Sequence, residues 1–281
     1  MGDSNDKSQS SGIHPLFDLS GRVAMVTGGG SGLGREFCRI LAEFGADIAC
    51  PDLRKERAEE TCEEIVRGLD RRALPLEADL SKPDQVQAAF KKVEETFGRL
   101  DILVNNAGML SVPSVIHEMS VENWHRVMDV NLHGVFYCMK EGLGMMMKQQ
   151  RGSIINISSV VGMNGLDPDI DAVAHYGVSK TGVIGLTRQG AAEYGKYNVR
   201  VNCIAPGWFL GTRLVADSGR GIRSPEASKA RMEQLAAKTP MRRTGDPKEL
   251  QGLMLYLASD ASSYVTGQII AVDGGFTCWR C

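Results

Sequence analysis

Val23-Ala24-Met25-Val26-Thr27-Gly28-Gly29-Gly30-Ser31-Gly32-Leu33-Gly34 decides the fold. An apolar run enters a glycine-rich turn, and a segment of helical period leaves it. Glycines permit a tight turn and close backbone approach, while a helix N-terminus aims its N–H groups at an anion. Strand, turn and helix in that order are the context in which such a turn receives a dinucleotide pyrophosphate. Gly28, Ser31, Gly32, Leu33 and Gly34 are the candidate contacts.

Outward from this turn, short apolar runs alternate with helix-period segments. Strands are expected at Val23–Thr27, Asp47–Pro51, Ala73–Glu77, Ile102–Asn105, Ser153–Ile157, Arg200–Ala205 and Ile269–Val272. Helices are expected from about Leu33 to Phe44, at Arg57–Leu69, Pro83–Phe97, within Val121–Lys148, at Tyr176–Tyr194 and at Pro247–Ala258. Val- and Ile-rich runs separated by helices indicate a parallel sheet covered on both faces. The expected fold is α/β: a doubly wound, seven-stranded parallel sheet in a single Rossmann-type domain over residues 16–281. Residues 1–15 read as a disordered tail, being polar and without the apolar core of a secretory signal.

The 281 residues are 43% hydrophobic and 23% charged, with a formal net charge of -2. Nothing in that balance suggests a nucleic-acid partner, and no apolar run reaches the length of a membrane span. The seven cysteines are odd in number and scattered, which suits reduced thiols in a cytoplasmic protein. Cys278-Trp279-Arg280-Cys281 is formally a C-x-x-C, but no second cysteine pair or histidine stands nearby, and a plain tail is the better reading.

Asp52 closes the second strand about twenty residues beyond the glycine turn, where a carboxylate can bond a ribose hydroxyl. The same carboxylate would repel a 2′-phosphate. No Arg or Lys lies inside the turn, although Arg54 stands two residues past Asp52. NAD is therefore expected over NADP.

Tyr176-Gly177-Val178-Ser179-Lys180 places a phenol and an ammonium four residues apart, on one face of a helix. A phenol beside a fixed cation is a proton-transfer group, and a dinucleotide site supplies a hydride carrier. Together they point to interconversion of a secondary alcohol and a ketone. A free tyrosine titrates near ~10, so a base working near neutral pH needs roughly 4 kcal/mol of phenolate stabilisation. Lys180 can supply part of it.

These residues, with Asp79-Leu80, Asn105-Asn106-Ala107-Gly108, Asn131, Ser158-Ser159, Pro206-Gly207 and Val272-Asp273-Gly274-Gly275, resemble the short-chain dehydrogenase/reductase family of single-domain type. The resemblance runs from about Phe17 to Phe276. It implies that Asp79 and Leu80 lie by the adenine, Asn106, Ala107 and Gly108 by its ribose, and Pro206 and Gly207 along the nicotinamide. It implies a catalytic set of Asn131, Ser159, Tyr176 and Lys180, with Tyr176 and Lys180 also touching cofactor. Ser159 would hold the substrate oxygen, and Asn131 would support a water chain to Lys180. Ser159 is preferred to Ser158 because Ser159-Val160-Val161-Gly162 matches the family's Ser-x-x-Gly pattern best.

Two departures stand out. The family's threonine five residues after the proline is Gly211 here, and Thr212, the candidate carboxamide contact, comes one later. Tyr176 follows Ser159 by seventeen positions, a longer gap than the family's, so the segment Asn164–Asp171 should border the substrate pocket. Its Asp167, Asp169 and Asp171 either grip hydroxyls or form a solvated loop. A substrate lid is expected at about 208–232, bearing Arg213, Arg220, Arg223, Lys229 and Arg231. These either receive an anion or are surface residues.

The expected substrate is small and polar: a sugar acid, a polyol or a cyclic diol. The chain is also faintly like the gluconate 5-dehydrogenase branch. A 3-oxoacyl reductase or hydroxysteroid dehydrogenase is the enzymatic alternative. A dehalogenase-like relative or a dinucleotide-sensing regulator would lose the glycine turn, Tyr176 or Lys180, and all are kept. The resemblance implies a homotetramer. Met145-Met146-Met147 and the tail around Phe276–Trp279 either lie between subunits or cover the protein's own core.

Overall fold

The computed structural model describes residues 13–166, 171–210 and 225–279. Seven strands form one parallel sheet in the order β3-β2-β1-β4-β5-β6-β7. They are β1 (Val23–Val26), β2 (Asp47–Asp52), β3 (Ala73–Glu77), β4 (Ile102–Asn105), β5 (Gly152–Ile157), β6 (Val199–Pro206) and β7 (Ile269–Val272). Strand order reverses between β1 and β4, which opens the crevice where doubly wound sheets bind ligands.

Side chains of adjacent residues on a strand point to opposite faces. Ala24 and Val26 of β1 pack with α1 (Gly32–Glu43), α2 (Lys55–Leu69) and the helix Gln251–Ala258, through Phe37, Leu41, Ile65 and Met254. Val23 and Met25 pack on the other face with α3 (Pro83–Phe97), α5 (Gly134–Gln149) and α6 (Ala174–Tyr194), through Phe90, Met139, Met146 and Val183. Both faces being covered explains the unbroken apolar strands.

The expected long helix at Val121–Lys148 is two helices, α4 (Val121–Met128) and α5, joined by a π-helical turn at Asp129–His133. The wider turn carries Asn131, which is fully buried. Its carboxamide accepts from Met109 N (2.8 Å) and donates to Met109 O (2.9 Å) and Ser179 Oγ (3.3 Å). A buried amide needs such partners, and π-turns often mark functional positions in helices. The helix expected at Pro247–Ala258 begins as a 3₁₀ turn, Pro247–Leu250, closed by an Asp246/Glu249 capping box, before α8 (Gln251–Ala258). Two helices have no counterpart in the periodicity: α7 (Pro225–Ala237) and the short α9 (Phe276–Trp279). Of the expected tail, residues 1–12 lie outside the described residues, and Pro15–Phe17 forms a 3₁₀ turn.

A buried polar relay ties α6 to the sheet. Asn105 of β4 donates to Asn156 of β5 (2.8 Å), and Asn156 donates to Thr187 of α6 (2.9 Å). Asn156→Ala strands the Asn105 amide in a dry core and should lower the unfolding free energy by about 2–3 kcal/mol. A urea denaturation midpoint equal to that of the unaltered protein would refute this.

Candidate active site

The two turns at the strand-order reversal are stitched by Thr27. Its hydroxyl accepts from the backbone N–H groups of Asn106 (3.0 Å) and Ala107 (3.1 Å), and its carbonyl accepts from Asn106 Nδ2 (2.9 Å). Sequence reasoning gives Thr27 a place in the glycine motif but no role of its own. The signal that could have found it is a hydroxyl at a strand end facing a second turn.

Gly28 adopts φ +63°, open to glycine at little cost. Gly34 does not line the cavity. It is buried in α1, where a Cβ would collide with the Gly28 carbonyl, so it sets the closeness of helix and turn. The cavity over these turns is about 690 Å³. It is lined by Gly28, Ser31, Gly32 and Leu33, by Asp52, by Asp79 and Leu80, by Asn106, Ala107 and Gly108, and by Pro206 and Gly207. Asp52 is buried, and its two oxygens accept from Gly30 N (3.1 Å) and Arg54 N (3.0 Å). The carboxylate is thereby fixed at the end of β2 with lone pairs left to accept more. Asp79 is engaged by Ser81 N (2.9 Å) and Ser81 Oγ (2.8 Å). A glycine cradle, a helix N-terminus and a fixed carboxylate in one cavity fit a dinucleotide.

Ser159, Tyr176 and Lys180 line the same cavity. Lys180 is 3% exposed, and its Nζ donates to the Ile157 carbonyl at the end of β5 (2.8 Å). It lies 5.7 Å from the centre of the Tyr176 ring. The Ser158 hydroxyl donates to the Lys180 carbonyl (2.8 Å), which commits it to anchoring the helix. A Cβ at Gly162 would fall 2.7 Å from the Lys180 backbone, so glycine there lets the turn after β5 close on α6. Ser159, by contrast, caps that turn by accepting from Val161 N (3.2 Å) and hydrogen-bonds Tyr176. Asn131 is not in the cavity wall. It fixes Met109, which is, and Ser179, which lies between Tyr176 and Lys180 in the chain.

Burial acts on the pair in opposite directions. It pushes the Tyr176 phenol up to about 12, against a smaller downward pull from the Ser159 hydrogen bond. It pushes the Lys180 amine down to about 8. In each case a low-dielectric site disfavours the charged form.

The cavity wall also includes Leu110, Val161, Val173 and Leu235, none of which the sequence marks as a contact residue, together with Leu166 and Phe209 from the segments expected to border it. Leu110, Val173 and Tyr176 form a small apolar cluster of their own, with Leu166 and Val161 packed on it. The long gap before Tyr176 thus does border the cavity, through Leu166 and Asp171. Asp167 and Asp169 lie outside the described residues, as do Gly211, Thr212, Arg213, Arg220 and Arg223. Of the lid cations that are described, Lys229 is exposed on α7, while Arg231 lines the cavity and is ion-paired with Asp171 (2.8 Å). Of the C-x-x-C, Cys278 is exposed, and Arg280 and Cys281 lie outside the described residues.

A family model described as enoyl-(acyl carrier protein) reductase matches residues 28–277. A 3-oxoacyl acyl-carrier-protein reductase FabG of Thermotoga maritima is 39% identical over 257 residues, 92% of this chain and 98% of the relative. A cis-4-hydroxycyclohexanecarboxylate dehydrogenase of Sinomonas cyclohexanicum is 38% identical over 256 residues, 91% of this chain and 96% of the relative. Among solved structures, a gluconate 5-dehydrogenase of Burkholderia cenocepacia in complex with NADP and tartrate superposes with a TM-score of 0.83. It is 34% identical and covers 94% of this chain and 98% of its own. The chain belongs to the short-chain dehydrogenase/reductase family and is an NAD(P)-dependent oxidoreductase acting on CH–OH donors.

Proposed function

We propose that this protein interconverts a ring-borne secondary alcohol and its ketone, with NAD preferred, Tyr176 as proton-transfer group, Ser159 as substrate-oxygen donor and Lys180 as the cation beside them. The observation that carries this reading is the placement of Ser159, Tyr176 and Lys180 in one cavity, with an apolar cluster of Leu110, Leu166 and Val173 packed about Tyr176. An apolar ring buries its carbons against Leu110, Leu166 and Val173, where an open-chain sugar acid would desolvate its hydroxyls. Among small polar substrates this favours the cyclic diol. A relative acting on a hydroxycyclohexane ring supports the same reading. The FabG relative keeps the 3-oxoacyl alternative in the test panel.

Nicotinamide supplies the hydride donor or acceptor when bound. Ser159 Oγ donates to the substrate oxygen and stabilises charge developing on it. Tyr176 Oη takes the hydroxyl proton in oxidation and returns it in reduction. Removing the proton at pH 7 from a phenol titrating at about 12 costs on the order of 7 kcal/mol. The neutral phenol is therefore the resting form, ready for ketone reduction, and alcohol oxidation gains from rising pH. Asn131 acts as a positioning residue through Met109 and Ser179.

Asp52 supports NAD, because a 2′-phosphate would meet a buried carboxylate. The protein is read as a cytoplasmic homotetramer. Among the described residues no helix is long and apolar enough to cross a membrane. Val121 and Phe136 are apolar and exposed on α4 and α5 and suit an interface between subunits. Met146 and Phe276 do not serve it, since both are buried in the protein's own core.

Absorbance of reduced nicotinamide tests the function with cyclohexanediols, cyclohexanol, gluconate and a 3-oxoacyl thioester. Turnover of ring substrates should fall about 10³-fold in Tyr176→Phe. Turnover confined to gluconate or the thioester would sink the ring reading. Asp52→Ser should raise the NADP-to-NAD ratio of kcat/KM by at least about tenfold. An unchanged ratio would remove Asp52 from cofactor choice.

Lys180 gives a stability test. Its folded value, about 8, lies below its ordinary 10.5, so the unfolded chain binds more protons between those pH values. Stability then rises with pH across that window, and the whole penalty applies below it. Lys180→Met should be more stable than the unaltered protein by about 3 kcal/mol at pH 7, with the gap closing as pH rises through that window. Urea denaturation near neutral pH and near the upper end of the window measures both ends, and a gap that does not change with pH would refute the burial argument.

A further inference from the structure

Trp208 follows Pro206 and Gly207, where β6 ends. Ile204 of β6 stands level with Ile157 of β5, so the chain leaves β6 beside Ser159. β4 and β5 separate β6 from β1, the strand that leads into the glycine turn. Three strand steps put Trp208 about 14 Å from that turn. It lines the same cavity, on the catalytic side. Its indole stands edge-to-face with Phe276, ring centres 5.8 Å apart. The indole Nε1 is buried and has no hydrogen-bond partner among the described residues. An indole N–H only donates, and a buried donor without an acceptor costs the fold its lost hydration. A neighbouring ring face is at best a second-order acceptor. A phenylalanine at 208 would pack against Phe276 without that cost, so the donor calls for a cause.

We propose that the Trp208 indole N–H is a positioning donor for the cofactor, with the carboxamide oxygen of the nicotinamide as its acceptor. The nicotinamide ring has to lie beside Ser159 and Tyr176 for hydride to reach a substrate carbon held there. That is the side of the cavity on which Trp208 stands. The reacting substrate oxygen already has the Ser159 hydroxyl and the Tyr176 phenol. The carboxamide oxygen still needs a donor, and Gly211 stands where the family resemblance calls for a threonine. The indole as a whole is part-exposed, so a turn about its side-chain bonds carries the covered N–H round to the cavity. Bound cofactor selects that rotamer, because only there is the donor satisfied. A carboxamide gripped in this way keeps the ring from turning over, so one face stays toward the substrate. The assignment requires a nicotinamide cofactor and holds for any alcohol substrate.

The experiment is calorimetric titration of the full chain with NADH and with ADP-ribose, which keeps the adenosine and pyrophosphate but has no nicotinamide. Two changes remove the donor. One is Trp208→Phe. The other, closer in shape, replaces Trp208 by 3-benzothienylalanine, in which sulfur stands where the N–H is. NADH should bind both forms about tenfold more weakly, the scale of one well-placed hydrogen bond. ADP-ribose should bind within about twofold of its affinity for the unaltered protein. Without ligand, the benzothienyl form should melt a few degrees higher, since it no longer buries an unmatched donor. A purely structural role for the indole would not weaken NADH binding while raising the melting temperature.

NADH and ADP-ribose weakened alike, or neither of them weakened, would overturn the assignment. So would a benzothienyl form whose melting temperature does not rise, because the N–H would then be satisfied in the unliganded fold. Should Trp208→Phe fail to fold, the benzothienyl form carries the test alone. Titration requires no substrate, so failure of the ring-alcohol reading leaves this test intact, and failure of the Trp208 assignment leaves that reading untouched.

Discussion

The bond from the buried ammonium of Lys180 to the Ile157 carbonyl is the constraint around which the rest of the site is arranged. A cation 3% exposed needs its position fixed, because a lost partner leaves a desolvated charge. The surrounding chain fixes it several times over. Ser158 holds the Lys180 carbonyl, Gly162 allows the turn after β5 to close on the Lys180 backbone, and Asn156 grips Thr187 further along α6. Each of these contacts joins β5, or the turn that leaves it, to α6. The register of helix on strand is thus set by polar contacts, while the apolar layers supply the bulk of the burial.

Tyr176 and Lys180 illustrate why the same burial serves function at the expense of stability. The site raises one group and lowers the other, so each is held away from its charged form. Two groups with nearly equal ordinary values are driven apart by the site, so that both rest in their neutral forms more readily than they would in water. Lys180 is expected to stabilise the phenolate, but burial, outweighing the Ser159 hydrogen bond, dominates at Tyr176 and raises the phenol instead. The reason is geometric as well as electrostatic: the ammonium is turned to the Ile157 carbonyl.

The sheet and the ligand crevice were legible because they rest on local, periodic signals. Apolar strands, the glycine turn and the Asp52 spacing each span a few residues, and all seven strands fall where the pattern places them, give or take a residue at an end. The π-turn was not legible. A helix that gains one residue in a turn keeps an apolar stripe on either side, and only the burial of Asn131 against Met109 reveals the shift. Helix α7 was missed because its sequence, Pro225–Ala237, lacks a strong apolar face. Thr27 and Met109 were missed because their roles lie in contacts between turns distant in the chain.

The pocket wall was hidden for the same reason, and this bears on how specificity is built. The groups at the strand ends are held by the sheet and by the β5–α6 contacts, so their positions are tightly set. Asp171 and Arg231 stand 60 residues apart, on segments outside the sheet, and meet only in the folded chain. A residue type alone then misleads: an arginine near a site suggests an anion, but its partner decides what charge it offers. Asp171 and Arg231 thus belong to a part of the wall whose make-up follows from tertiary contacts, while the groups at the strand ends follow from the sheet.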